Sequence, residues 1–449
     1  MSGLRVAVIG SGPAGVYAAA ALTRAGNVEV DVLDRLPAPY GLVRYGVAPD
    51  HVKMKSVDVA LRRILEDPAV RFLGNVEVGT DITRDELTTY YDAVVFATGA
   101  AVDRRLGVPG EDLPGSFSAT EFVAWYSGHP DAELDLFTLQ ATHAVVIGVG
   151  NVAVDVARVL TKKADVLSGT DVPGHVLDVL AASAVTEVTM LGRRGPAYAR
   201  FTTKELRELG EIAGSDIIVD PADLELSEQE EADVAADRTL RANLEVLRDW
   251  STRTPEGRPR RLRIKFWLRP AEVLGSAAVS GFRAERTRLE NGKLVGTGSV
   301  VDFPAQLVLR SVGYRVVPPA GLPLDPDTGT VPHDGGRVLL DGTPMPGMYV
   351  AGWLKRGPTG IIGTNKPDAT ETVASLLADA DRLPRAPERD PDAIVELLLE
   401  RKVRAVGWSG WEAIDAAEKA LGVARDCARV KIADRETLLR TALGDEFGY

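Results

Sequence analysis

Two glycine-rich turns, each lying between an apolar run and a helical pattern, constrain the fold of this chain more than any other feature. The first is GSGPAG, from Gly10 to Gly15, and the second is GVGNVA, from Gly148 to Ala153. Such a turn leads from a buried parallel strand into a helix whose N-terminal N–H groups bind a pyrophosphate, and its glycines permit the sharp turn and the close approach of the phosphate. Two such turns predict an α/β protein with two Rossmann-like nucleotide-binding domains.

The residues that follow each turn distinguish the two nucleotides. Asp34 ends the strand after the first turn, about 20 positions beyond Gly15, where a carboxylate accepts a ribose hydroxyl and repels a 2′-phosphate. The first site is therefore expected to bind FAD or NAD. The corresponding later strand ends at Arg193 and Arg194, whose guanidinium groups suit a 2′-phosphate, so the second site is expected to bind NADP(H). Two solvated loop arginines are the alternative, because the connection from Ala153 is long.

Composition excludes several other classes of protein. A chain of 449 residues allows two or three domains, and a net charge of −12 argues against non-specific binding to nucleic acid. No apolar run approaches the length of a membrane span and no signal segment begins the chain, so we expect a cytoplasmic protein with no membrane partner. Cys427 is the single cysteine, which excludes an internal disulfide, a CxxC redox pair and a four-thiolate iron–sulfur site. The five histidines lack metal-ligand spacing, so no metal site is expected.

Two further segments favour a flavin. The stretches from Tyr91 to Gly99 and from Gly347 to Trp353 both read as buried strands that end in small residues, and the second leads into a glycine-rich stretch from Gly357 to Asn365. That stretch lacks the GK[ST] ending of a nucleotide-hydrolase phosphate loop. Its backbone N–H groups could approach an isoalloxazine ring, or it could be an ordinary tight loop before a helix.

Five blocks together resemble the adrenodoxin reductase-like ferredoxin-NADP reductases, especially the actinobacterial members. These blocks are VIGSGPAG (8–15), YGLVRYGVAPDH (40–51), GNVAVDVAR (150–158), GRRGP (192–196) and AGWLKRGPTGIIGTNK (351–366). The resemblance implies a discontinuous FAD-binding domain, residues 1–102 and 318–449, with an NADP-binding domain, residues 103–317, inserted in it. The implied reaction is hydride transfer from NADPH to FAD, followed by single-electron transfer to a ferredoxin, an acidic iron–sulfur protein.

The resemblance also implies roles for individual residues. The positions that match the redox centre of the family, here taken as catalytic, are His51, Glu208 and Asp155. Those that match FAD-binding positions are Gly12, Ala14, Asp34, Leu42, Trp353, Gly360, Ile361 and Ile362. Those that match NADP-binding positions are Asn151, Val152, Arg193, Arg194 and Glu205. In a plainer interpretation, His51 caps a turn, while Glu205 and Glu208 share one solvated helix face.

The partner and the reaction leave alternatives open. An acidic ferredoxin needs a basic surface, and the densest candidate runs from Arg253 to Arg269, although part of it could be an ordinary solvated strand face. The chain could instead be a flavin-dependent NADPH oxidase or monooxygenase, a non-catalytic NADP(H)-sensing module, or the NADPH-oxidising subunit of a complex such as glutamate synthase. The last class usually carries a cysteine-rich iron–sulfur region, which this sequence lacks. The sequence does not identify the particular ferredoxin.

Overall fold

The computed structural model describes residues 3–100 and 102–444, and it divides into two compact units. The first unit contains the chain up to Val102, the segment Ser127–Ala132 and the chain from Tyr314 onwards. The second unit contains Asp103–Tyr126 and Glu133–Gly313, so it is inserted in the chain of the first. Each unit is built on a sheet with parallel strands, which confirms the predicted class of two Rossmann-like α/β domains.

A seven-stranded sheet forms the centre of the described part of the first unit. Its parallel strands run in the order Thr343–Val350, Ala93–Phe96, Leu4–Ile9, Val28–Asp34 and Val70–Gly74. The strands Arg337–Leu340 and His333–Asp334 extend one edge in antiparallel pairing. Because the chain order reverses beside Leu4–Ile9, the carboxyl end of this strand is a topological switch point, where open α/β sheets bind ligands.

The helices of the first unit cover this sheet. Helix Pro13–Ala25 packs its small and apolar side chains, including Val16 and Leu22, into the core, where helix Asn365–Ala378 lies beside it. The other helical segments are Leu42–Tyr45, Val52–Lys55, Asp58–Leu65, Arg84–Tyr90, Trp353–Arg356, Ile362–Thr364, Ala393–Glu400, Trp408–Ala424 and Arg435–Leu443. None of the helices among the described residues is both long enough and apolar enough to span a membrane.

The second unit contains two separate sheets. Its six parallel strands run in the order Ser116–Ser118, Leu307–Arg310, His143–Ile147, Glu187–Leu191, Arg260–Lys265 and Ser215–Val219. The second sheet is antiparallel and consists of Leu268–Gly275, Val279–Glu290 and Lys293–Pro304. The helical segments are Ala119–Tyr126, Asn151–Thr161, Ala164–Leu167, Gly174–Ala181, Pro196–Tyr198, Thr203–Gly210, Pro221–Leu224, Glu228–Ala236 and Arg238–Ser251. Short strands, Val102–Asp103 and Tyr314–Arg315, lie where the chain passes between the units.

The segment Ser127–Ala132 belongs to the first unit, although the expected NADP-binding domain, residues 103–317, includes it. The ring of His129 packs on that of Tyr45 with their centroids 4.9 Å apart. Lys431 donates a hydrogen bond of 3.0 Å to the carbonyl of Ser127. Asp131 forms an ion pair of 2.7 Å with Arg435. These partners are distant in sequence, so no local pattern could place this segment.

Candidate functional site

In the first glycine turn, a side chain would find open space at Gly12 but would clash with the backbone at Gly10 and Gly15. Gly10 has a φ of 107°, and a Cβ there would lie 2.6 Å from the carbonyl oxygen of Ala97. A Cβ on Gly15 would overlap the carbonyl of Gly10, so both glycines are required by packing. Gly12 caps helix Pro13–Ala25, and a Cβ there would meet only the Cα of Gly41, at 4.0 Å, among the described atoms. The helix N-terminus is therefore accessible to an anion beside Gly12.

Other loops of the first unit come close to this helix N-terminus. A Cβ on Gly41 would lie 3.1 Å from the Cα of Gly12, so this loop passes very near the glycine turn. A Cβ on Gly352 would lie 2.6 Å from the Cβ of Ala14, which is buried in the first turn of the helix. The carboxyl edge of the sheet thus forms a cradle of backbone with few side chains, which fits the pyrophosphate of a dinucleotide.

Asp34 joins the second strand to the glycine turn. Its carboxylate accepts hydrogen bonds from the backbone N–H of Ser11 at 2.7 Å, the hydroxyl of Ser11 at 2.5 Å and the backbone N–H of Leu36 at 2.9 Å. Burial raises the pKa of Asp34 above its ordinary value, although the hydrogen bonds from Ser11 and Leu36 act in the opposite direction. A carboxylate has about four lone-pair positions, so one remains for a ribose hydroxyl.

Apolar side chains are exposed in two loops of this unit. Leu42, after Gly41, is 42% exposed, and Ile361, in the glycine-rich loop, is 74% exposed. Trp353 is half-buried and donates a hydrogen bond of 3.2 Å to the carbonyl of Thr359. Its ring packs at a tilt against that of Tyr314, with the ring centroids 5.3 Å apart. Gly360 is exposed and Ile362 is half-buried. Large exposed apolar side chains of this kind are suited to cover an aromatic ligand.

His51 is buried at the start of helix Val52–Lys55. Its backbone carbonyl accepts hydrogen bonds from the N–H groups of Met54 and Lys55, at 2.9 and 3.1 Å. Its imidazole makes no capping hydrogen bond to this helix. The predicted role of His51 at the redox centre stays a prediction, as does the alternative in which it caps the preceding turn.

In the second glycine turn, too, one glycine is required by packing and another leaves open space at the helix N-terminus. Gly148 has a φ of 136°, and a Cβ there would overlap the carbonyl of Ser311. Gly150 caps helix Asn151–Thr161, and a Cβ on it would have no described neighbour within 4 Å. The side-chain oxygen of Asn151 accepts a hydrogen bond of 2.8 Å from the N–H of Thr202, while Val152 is half-buried. This helix N-terminus is also accessible to a phosphate.

Arg193 and Arg194 follow strand Glu187–Leu191 at the carboxyl edge of the second sheet. Arg193 is exposed and Arg194 is half-buried. The guanidinium of Arg194 lies over the ring of Tyr198, 5.2 Å from its centroid, and its Nε has no hydrogen-bond partner among the described residues. No described carboxylate forms an ion pair with either arginine. Two uncompensated guanidinium groups at this edge fit a 2′-phosphate.

Arg158 is a residue that the sequence analysis missed. Its side chain has no exposed surface, and its guanidinium lies 2.7 Å from Asp155, 3.3 Å from Glu208 and 3.6 Å from Glu205. Three predicted site residues thus meet around one arginine. Glu205 is only 4% exposed, so the interpretation of Glu205 and Glu208 as one solvated face is wrong. The spacing of three residues between Asp155 and Arg158 is the signal in the sequence, but it does not reveal burial.

The basic run from Arg253 to Arg269 is largely neutralised by carboxylates within the second unit. Arg261 and Arg263 both pair with Glu187, at 3.0 and 2.7 Å. Lys265 lies 3.0 Å from both Asp220 and Asp223. The remaining ion pairs include Arg253–Asp249, Arg258–Glu256 and Arg269–Glu285. The charges of this run are therefore largely paired within the second unit, and its predicted role in docking an acidic ferredoxin stays a prediction.

Comparisons with known proteins agree with this arrangement. The family model described as pyridine nucleotide-disulphide oxidoreductase matches residues 4–212. The NADPH-ferredoxin reductase FprA of Mycobacterium leprae is 45% identical, over 98% of both chains. The mitochondrial NADPH:adrenodoxin oxidoreductase of Arabidopsis thaliana is 41% identical over 98% of this chain and 95% of its own. The solved structure of Mycobacterium tuberculosis FprA in complex with NADPH has a TM-score of 0.93 at 43% identity, covering 98% of this chain and 100% of that one.

Proposed function

Because the chain belongs to the family of adrenodoxin reductase-like ferredoxin-NADP reductases, we propose the following assignment of its two units. The enzyme transfers a hydride from NADPH to FAD and then single electrons to a ferredoxin. The observation that carries the assignment is the pair of helix N-termini, each left accessible by a glycine, at Gly12 and at Gly150. One unit alone would bind one dinucleotide, whereas this reaction needs two.

The first unit binds FAD, with residues 1–102 and 318–449 forming the FAD-binding domain. When bound, FAD accepts a hydride and releases electrons singly, which no side chain can do. The cradle around Gly12 and Ala14 binds the pyrophosphate, and Asp34 accepts a hydrogen bond from the ribose. The residues that cover the ring system and exclude water from it are Leu42, Trp353, Gly360, Ile361 and Ile362. The exposure of Leu42 and Ile361 supports this role.

The second unit, within residues 103–317, binds NADP(H). Asn151 and Val152 begin the helix beneath the pyrophosphate, and Arg193 and Arg194 bind the 2′-phosphate. The absence of ion pairs between these arginines and described carboxylates supports the preference for NADPH over NADH. Glu205, buried against Arg158, fixes helix Thr203–Gly210 beside the cofactor helix.

His51, Asp155 and Glu208 act near the reacting atoms. Hydride transfer requires no general base, so His51 orients the reactants and adjusts the local charge. Arg158 contacts the carboxylates of Asp155 and Glu208 at 2.7 and 3.3 Å, which gives them a defined position and offsets part of their negative charge. These groups supply electrostatics and orientation, and the cofactors supply the redox chemistry.

The electrons leave to a separate iron–sulfur protein. The chain has one cysteine, Cys427, and so cannot form an internal disulfide or a four-thiolate cluster of its own. We infer that the acceptor is an acidic ferredoxin and that both proteins are cytoplasmic. Association with an acidic partner would weaken as salt screens the charges.

The test is NADPH-driven reduction of cytochrome c, with and without low-micromolar ferredoxin from the same source, at low and high salt. We expect a large ferredoxin-dependent increase that high salt suppresses, and ferricyanide reduction without ferredoxin is the control for the first half-reaction. Consumption of NADPH with peroxide formation and no dependence on ferredoxin would instead indicate an oxidase or a monooxygenase. Ferredoxin-dependent reduction that is insensitive to salt would support the reductase function but contradict the acidic character of its partner.

A further inference from the structure

Three consecutive backbone carbonyls in the second unit accept hydrogen bonds from two neighbouring segments. The carbonyl of Gly192 accepts from the N–H of Leu268 at 3.0 Å, and that of Arg194 accepts from the N–H of Trp267 at 3.3 Å. Between them, the hydroxyl of Thr287 donates to the carbonyl of Arg193 at 2.8 Å. The donors belong to the three-stranded antiparallel sheet and to the residue that leads into it. The backbone of the arginine pair is thus fixed from outside its own strand.

The donors are themselves held in place. Trp267 has a φ of 59°, in the left-handed region, and its carbonyl accepts a hydrogen bond of 2.9 Å from the N–H of Thr287. A Cβ on Gly195 would overlap the indole ring of Trp267, so the ring packs directly against the end of the arginine turn. Thr287 is buried at a register irregularity in the pairing of its strand with Lys293–Pro304. The left-handed backbone at Trp267 and the strand irregularity at Thr287 thus direct the N–H of the first and the hydroxyl of the second towards the arginine turn.

We propose that Thr287 and Trp267 are positioning residues that determine the preference for NADPH, because they fix the turn from which Arg193 and Arg194 reach the 2′-phosphate. This inference rests on the proposed function of the two arginines. A guanidinium binds a phosphate well only in a defined orientation, and a long exposed side chain has many conformers. Fixing the backbone raises the fraction of conformers that can bind, and the affinity for the 2′-phosphate rises in proportion. The adenosine ribose of NADH carries an uncharged hydroxyl in place of the 2′-phosphate, so it gains far less from the fixed turn.

The test compares Thr287→Val, which removes the hydroxyl donor and keeps the shape and the backbone N–H, with Thr287→Ser, which keeps the hydroxyl. Steady-state kinetics with ferricyanide as acceptor give KM and kcat for NADPH and NADH in the FAD-loaded enzyme. Loss of one hydrogen bond should raise the KM for NADPH by about three- to tenfold. The KM for NADH and both kcat values should stay unchanged, and Thr287→Ser should resemble the unmodified enzyme. Thermal unfolding checks that each variant is folded, and Thr287→Ala replaces Thr287→Val if the latter is not.

The double variant Arg193→Ala/Arg194→Ala tests the proposed 2′-phosphate site separately from the positioning role of Thr287. If the loss of both arginines raises the KM for NADPH selectively and Thr287→Val added to that background changes nothing more, then Thr287 acts through the arginines. If the arginine variant is selective but Thr287→Val alone has no effect, or affects both cofactors equally, the positioning role is overturned. If the arginine variant itself affects NADPH and NADH equally, the assignment of the 2′-phosphate site fails.

Discussion

Arg158 and Asp155, three residues apart on the same helix, form an ion pair of 2.7 Å in which the arginine has no exposed surface. The same guanidinium reaches Glu205 and Glu208 on helix Thr203–Gly210. One guanidinium therefore contacts three carboxylates and joins two helices of the second unit, and Lys204 adds a second positive charge 3.5 Å from Glu208. A buried charge is tolerated in a protein only with such partners, and removal of one partner leaves the others uncompensated.

Arg158→Met should lower the free energy of unfolding by about 3 to 5 kcal/mol, because Asp155, Glu205 and Glu208 would lose the buried guanidinium that they share. Urea unfolding of the variant and the unmodified protein measures this difference. The matched control is Arg382→Met, since Arg382 also pairs with a carboxylate, Asp379, but is 77% exposed. That change should cost less than about 1 kcal/mol. Similar losses for both variants would contradict the structural role of Arg158.

Gly12→Ala should leave the fold intact and reduce the retention of FAD. Gly12 has an ordinary φ of −69°, and the nearest described atom to an added Cβ is 4.0 Å away, so the methyl group would occupy only the space predicted for the pyrophosphate. Gly10→Ala should instead destabilise the protein, because its Cβ would lie 2.6 Å from the carbonyl of Ala97. Flavin absorbance after gel filtration, together with thermal unfolding, distinguishes the two effects. Full FAD retention in folded Gly12→Ala would place the pyrophosphate elsewhere.

His129 should make stability depend on pH. Burial lowers the pKa of His129 to about 4, although Asp131 acts in the opposite direction. Its Nδ1 accepts a hydrogen bond of 3.1 Å from the N–H of Asp131, which requires the neutral ring. The unfolded chain takes up this proton near pH 6.5, so stability is full above about 6.5 and falls by up to about 3 kcal/mol as the pH drops towards 4.

The variant His129→Asn, whose side-chain oxygen can accept the same hydrogen bond, should lose less stability over this pH interval. Urea unfolding of both proteins at pH 7 and pH 4.5 measures the difference, and carboxylates that titrate in both proteins cancel in the comparison. An identical decline in the two proteins would show that His129 does not carry this dependence.

His51→Gln should slow the reduction of FAD by NADPH without abolishing it, by less than about 100-fold, because hydride transfer needs no proton transfer at this position. Stopped-flow measurement of flavin bleaching gives the rate, and the FAD content of the variant is the control. Complete loss of reduction with FAD still bound would assign His51 an obligatory chemical step.

The two glycine turns and the five sequence blocks predicted the fold class, the family, the cofactors and the reaction, and all of these are confirmed. The prediction succeeded because a strand, a tight turn and a helix N-terminus form from neighbouring residues, so the glycine spacing records their geometry directly. The interpretation that proved wrong, a single solvated face for Glu205 and Glu208, concerned side chains whose partner, Arg158, lies far away in sequence. In the run from Arg253 to Arg269, the pairing with Glu256 is local, whereas the pairing with Glu187, Asp220 and Glu285 joins separate segments.

The sequence by itself thus determined the fold class, the family and the two cofactors, since the glycine turns and the motif blocks are local patterns. Which nucleotide each turn binds stays a prediction from the same local residues. Only the tertiary structure decided which charged side chains form ion pairs and which backbone carbonyls accept hydrogen bonds from distant segments. Burial of Arg158 among three carboxylates, the placement of Ser127–Ala132 in the first unit and the hydrogen bond from Thr287 to Arg193 all join residues from separate segments. Such contacts form only when the whole chain has packed, because each depends on the position of elements that local patterns leave undefined.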